Sequence, residues 1–148
     1  MWYAQVIRNP NLAKGPGQIL LFHKLFDTIS CKGAWPCMTG GAKLDPHEYG
    51  ALTPTLTWQM IEPIEERQVN EDAPTMRQAI IVPRDSGVAS YPKRTFYNFT
   101  VDPFRIHPAG TSTGCIIVPS EHFTDLQKSF NNAYAQCAFP IHVINHVF

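Results

Sequence analysis

Apolar and polar residues alternate over short stretches along most of the chain, and proline or glycine interrupts nearly every stretch. Runs of this kind read as strands: Trp2 to Arg8, Gln18 to Phe22, Leu25 to Ser30, Thr55 to Ile61, Ala79 to Val82, Arg94 to Thr100, Phe104 to His107, Cys115 to Val118 and Ile141 to Val147. Turn-forming pieces such as Asn9-Pro10-Asn11 and Lys14-Gly15-Pro16-Gly17 separate them. Only one segment has a long helical period. Phe123, Leu126, Phe130 and Tyr134 recur at steps of three, four and four, which makes a single apolar stripe fit to pack on a sheet. Ser120 is expected as its N-cap, with Glu121 well placed for the helix dipole, and Pro140 as its stop. Cys137 follows the helical pattern and is expected in the core. The pattern predicts an α+β domain, mainly β, with one packed helix.

The most polar stretch, Glu62 to Asp72, holds Glu62, Glu65, Glu66, Glu71 and Asp72 and reads as a surface excursion or short helix. No internal repeat or linker divides the chain, so residues 1–148 are expected to form one domain.

Composition narrows the function. Lys and Arg number 12 against 12 Asp and Glu, so the chain lacks the basic footprint of a nucleic-acid binder. Its longest apolar runs, such as Ile19 to Phe22, fall far short of a membrane span. The first ten residues lack the charged and apolar regions of a Sec-type signal, so action outside the cytoplasm implies a removed leader or another export route.

Four cysteines occur, Cys31, Cys37, Cys115 and Cys137, too few and too irregular for a disulfide framework. Cys31 and Cys37 either close a small hairpin loop in an oxidising compartment or remain as reduced thiols. Cys31, Cys37, His23 and His47 lack the close pairs of a structural zinc site, and no metal or organic cofactor is expected. The other histidines, His122, His142 and His146 among them, read as structural or exposed.

The chemistry concentrates in Phe104-Arg105-Ile106-His107-Pro108-Ala109-Gly110-Thr111-Ser112-Thr113-Gly114-Cys115-Ile116-Ile117-Val118. One histidine and one cysteine flank a small-residue loop between two predicted strands. A thiol of ordinary pKa is only ~3% ionised at neutral pH, so a nucleophilic cysteine needs a nearby base or cation. A loop folding back between the strands would bring His107 to Cys115. Arg105 is expected on the strand face opposite His107, with no part in catalysis, and Arg94 or Lys93 is the candidate contact for a substrate carboxylate.

These pieces resemble the L,D-transpeptidase catalytic domain over roughly residues 17 to 147. The matching segments are Trp35-Pro36-Cys37-Met38-Thr39-Gly40-Gly41, the Thr53-Pro54 segment and its following strand, the strand ending in His107, and Ser112-Thr113-Gly114-Cys115. Thr113 stands where the cross-linking enzymes have a second histidine, Ile117 where they have Arg or Asn, and Thr55 where the family usually has glycine. Thr113, with the short His107-to-Cys115 spacing, points to the branch of antibacterial effectors exported by type VI secretion.

The resemblance implies a β-sandwich with one packed C-terminal helix, and activity on peptidoglycan tetrapeptide stems in the bacterial periplasm. It implies Cys115 as nucleophile and His107 as base, with Gly114, Ser112 and Thr113 shaping the oxyanion loop. A side chain or a backbone carbonyl would orient His107. L,D-carboxypeptidase activity or D-amino-acid exchange is favoured over wall cross-linking, and a cognate immunity protein is the expected partner. The rival readings are another cysteine peptidase or amidase, and a wall-binding or partner-binding domain without turnover.

Overall fold

The computed structural model describes residues 1–40, 53, 55–68, 71–72, 74–84, 94–96, 99–101, 104–108 and 115–147. Its strands are β1 (Trp2–Arg8), β2 (Pro16–Leu25), β3 (Thr28–Met38), β4 (Thr57–Met60), β5 (Glu65–Arg67), β6 (Met76–Pro83), β7 (Arg94–Phe96), β8 (Phe99–Val101), β9 (Arg105–Pro108), β10 (Ile116–Val118) and β11 (Ile141–Asn145). One helix, α1 (Ser120–Gln136), lies between β10 and β11.

The main sheet runs β4-β11-β1-β2-β3-β10-β9-β6-β5, and a further pairing of β4 with β6 returns it to its start. The described strands therefore form one sheet closed like a barrel, with β5 on its outside edge, rather than two plainly separate layers. Closure leaves few unpaired strand edges. β7 and β8 form a separate antiparallel pair.

Strand alternation decides what fills the interior. Ala4 and Val6, Ile19 and Leu21, Trp35 and Cys37, Trp58 and Met60, Ala79 and Ile81, Ile116 and Val118, Ile141 and Val143 all turn to one side and belong to a single buried apolar cluster. Helix α1 adds Phe123, Leu126, Phe130 and Ala133 to that cluster. Each fully buried large side chain contributes about 1.5–3 kcal/mol. Directional contacts fix the helix on the sheet. The Trp35 Nε1–H donates to Asp125 Oδ2 at 2.9 Å, and the Trp35 and Phe130 rings meet edge to face at 5.9 Å. The Asn131 side chain closes two bonds with the Ile64 backbone.

Several boundaries differ from the sequence pattern for local reasons. The Leu25-to-Ser30 run is two strand ends joined by a turn at Phe26-Asp27, because Leu25 pairs with Thr28. The long β3 carries Gly33 and Pro36 within a paired strand, with a bulge at Lys32. Arg67 bridges Glu62 and Glu65 at 3.0 and 3.6 Å, and this stretch pairs as β5 instead of forming a short helix. Pro119, not Ser120, holds the N-cap position and makes no side-chain cap bond. The helix stops at Gln136, so Cys137 lies past its end and is exposed rather than in the core. Among the described residues, no helix is long and apolar enough to cross a membrane.

Candidate functional site

β9 and β10 run parallel and in register, with Ile106 opposite Ile116, His107 opposite Ile117 and Pro108 opposite Val118. Ile106, Ile116 and Val118 point into the core, which turns Arg105, His107 and Ile117 to the other face. Cys115 immediately precedes β10 and has the same parity as Ile117. It is buried, at 8% exposure, yet stands outside the apolar cluster, as does His107 at 8%. The small residual exposure keeps both at the edge of solvent. Continuing the strand spacing one residue back from Ile116 would set Cys115 two positions from His107 along the neighbouring strand, roughly 8 Å between Cα atoms. Imidazole and thiol side chains together span such a gap.

Ser112, Thr113 and Gly114 lie outside the described residues, as does Lys93. Arg94 is described by its backbone alone.

The state of His107 follows from one contact. Its Nδ1 lies 2.7 Å from the carbonyl oxygen of Pro108. A carbonyl can only accept, so Nδ1 carries the proton and Nε2 presents a lone pair. The group that orients the imidazole is therefore a backbone carbonyl. Burial lowers the His107 pKa below its ordinary 6.5; the Pro108 bond opposes that shift, and the positive charge of Arg105 adds to it. The ring is held neutral and ready to accept a proton.

Arg105 corrects the sequence reading. Residues two apart on a strand share a face, so Arg105 and His107 point the same way. The charge of Arg105 acting on His107 agrees with that placement. Spacing in the sequence already carried this signal.

The other thiols have different roles. Cys31 and Cys37 sit on the same strand, six residues and roughly 20 Å apart, where a disulfide needs Cα atoms within about 7 Å. Both are free. Cys37 lies in the core near Arg8, and burial pushes its thiol up to about 12, which keeps it protonated and inert. Burial also lowers the Arg8 guanidinium to about 10. Arg8 remains charged at neutral pH, and it donates to Asn145 Oδ1 and Thr39 Oγ1 at 2.9 and 3.2 Å. That network ties β1, β11 and the end of β3 together at one rim of the barrel. His47 lies outside the described residues. Among the described residues no group of three or more His, Cys, Asp or Glu side chains is placed to hold a metal ion.

The described residues place a base of defined tautomer and a cation on one face of β9, and a thiol immediately before β10. Such a set can ionise a thiol, deliver it to a carbonyl carbon and return the proton to a leaving amine. Neither a protein-family model nor a curated protein matches the chain.

Proposed function

We propose that this chain is a cysteine-dependent acyl transferase of the L,D-transpeptidase type, with that family's sandwich-and-helix fold, acting on peptidoglycan tetrapeptide stems. The observation that carries the reading is the parallel pairing of β9 with β10, which sets His107 on one strand and Cys115 immediately before the other, with the His107 Nδ1–H anchored on Pro108 and Nε2 left as base.

Cys115 Sγ attacks the carbonyl of the amide joining the L-centre of diaminopimelate to the terminal D-alanine. His107 Nε2 takes the thiol proton and passes it to the departing amine as the C–N bond breaks. The product is a thioester. Water resolves it in L,D-carboxypeptidase action, and a free D-amino acid resolves it in exchange. The amide N–H of the Gly114-Cys115 peptide meets the developing oxyanion, a donor worth about 2.7–4 kcal/mol. The enzyme acts in the periplasm of competing bacteria after type VI export, and its producer carries an immunity protein that blocks the groove. The effector-like motif, with Thr113 and Ile117 in place of the cross-linking enzymes' residues, supports that assignment.

Incubation with disaccharide tetrapeptides, followed by mass analysis, tests the reaction. Tripeptide or D-amino-acid-exchanged product is expected, falling at least ~10²-fold in His107→Gln, within the usual worth of a general base. Turnover is expected to vanish in Cys115→Ala. Unchanged muropeptides, or full turnover by Cys115→Ala, would remove the proposal, and cleavage elsewhere in the stem would replace it with another cysteine peptidase or amidase.

A further inference from the structure

A second hollow lies apart from His107. Ala79 pairs with Ile106 and Ile80 with Arg105, so β6 runs away from the His107 end of β9 toward Arg84. There Arg84 meets the start of β1, the far part of β2 and the chain that follows α1, around a cavity of about 430 Å³. That volume falls within the ~300–1,000 Å³ of small-molecule sites.

Two kinds of surface line the cavity. Half-buried Trp2 and buried Phe139 supply an apolar wall. The His23 ring lies against the Trp2 indole, with centroids 4.6 Å apart, and the Trp2 Nε1–H donates to Gln136 Oε1 at 3.1 Å. With its oxygen so engaged, the Gln136 amide keeps its Nε2 hydrogens for another acceptor. Arg84 donates its backbone N–H to the Thr57 carbonyl at 2.8 Å, while its guanidinium has no ion pair among the described residues. No described residue lining the cavity is acidic. The C-terminal end of α1 brings about half a negative charge, against the full positive charge of Arg84. The cavity is therefore net positive and rich in donors on one side, and apolar on the other.

We propose that this cavity is a binding site for a small organic carboxylate with an apolar or aromatic body. The carboxylate lies on the Arg84 guanidinium, whose planar fork meets both oxygens, with the Gln136 amide as a further donor. The body covers Trp2 and Phe139. A small inorganic anion would leave that wall uncovered, and a neutral aromatic would leave Arg84 without a counter-charge. No step of the acyl-transfer reading depends on this site.

A thiol in the cavity reports its occupancy. Cys137 lines it and is exposed, and Cys31, exposed on β3 and outside the cavity, is the internal standard. Iodoacetamide alkylation of each thiol is followed by peptide mass mapping while benzoate, phenylacetate or indole-3-acetate is titrated. At least one of these acids is expected to slow alkylation of Cys137 saturably and to leave Cys31 unchanged. Arg84 is exposed, so its replacement spares the core. Arg84→Gln is expected to raise the concentration for half protection roughly tenfold, the equivalent of one charge-assisted hydrogen bond. Arg84→Lys should recover part of that loss. The protecting acid should also raise the urea midpoint of the native protein and not that of Arg84→Gln, because a ligand held only by the folded state stabilises it. No protection of Cys137 by any of the three acids overturns the proposal. So does equal protection by benzyl alcohol, half protection unchanged in Arg84→Gln, or a native midpoint that saturating acid leaves in place.

Discussion

At the scale of single residues, the behaviour of the site depends on how His107 is held. A neutral imidazole with its proton on Nδ1 needs no prior deprotonation to act as a base. Burial is the main reason it stays neutral, and the neighbouring Arg105 charge acts in the same sense. The sign of the pH effect follows. A lowered pKa means that the base form persists to more acidic conditions than a free imidazole allows, and protonation removes it only below the ordinary 6.5. The acidic limb of kcat/KM against pH is therefore expected below 6.5, and Arg105→Gln is expected to shift it upward by removing one lowering influence. A limb that stays in place in Arg105→Gln would show that the two side chains do not sense each other.

At the scale of elements, the β2–β3 hairpin shows both the reach and the failure of pattern reading. Gln18 to Phe22 alternates and was legible as a strand. Leu25 to Ser30 read as a separate strand, and nothing at Phe26 signals a turn. The structure nevertheless reverses there, with Phe26 at φ 54°, a region that favours Gly or Asn. Phe26 is 88% exposed, so its ring is not retained for packing. Phe26→Asn is expected to stabilise the protein by about 1 kcal/mol by relieving that conformation, seen as a higher midpoint in urea unfolding. A lower midpoint would show that the Phe26 ring makes stabilising contacts.

Gly17, in contrast, permits the close approach of β1. A Cβ there would lie 2.0 Å from the Ile7 carbonyl oxygen, which leaves no space for a side chain between β1 and β2. The helix was legible because Phe123, Leu126 and Phe130 repeat over several turns and all become core. Its two ends were less so. Pro119 rather than Ser120 caps it, and the helix ends at Gln136, before Pro140 is reached.

At the scale of the whole molecule, long-range pairing does what no local pattern announces. The ring closes through β4–β6 and through the parallel pairing of β1 with β11, whose residues are more than a hundred positions apart. Alternation identifies the buried side of each strand but not its neighbours. For that reason the mainly β character was readable, and the closed sheet was not. The neighbourhood of β9 and β10 was easier to anticipate, because these two strands are close in sequence and pair with each other.

Arg105 was misassigned for the opposite reason: the parity that places it on the face of His107 is local, and it was applied the wrong way. The closed sheet gives that site a rigid base, since β9 is held between β10 and β6 and β10 between β9 and β3. Catalytic groups on paired strands keep their spacing better than groups on free loops.

The account stands on Cys115 as the atom that takes the acyl group. Mixing the protein with a disaccharide tetrapeptide, quenching in acid and mapping the digest by mass spectrometry observes that event directly. A tripeptide-acyl adduct on the peptide bearing Cys115, released by hydroxylamine and missing in Cys115→Ala, is the expected result. Tripeptide formed with no adduct at any time point and undiminished in Cys115→Ala would contradict it.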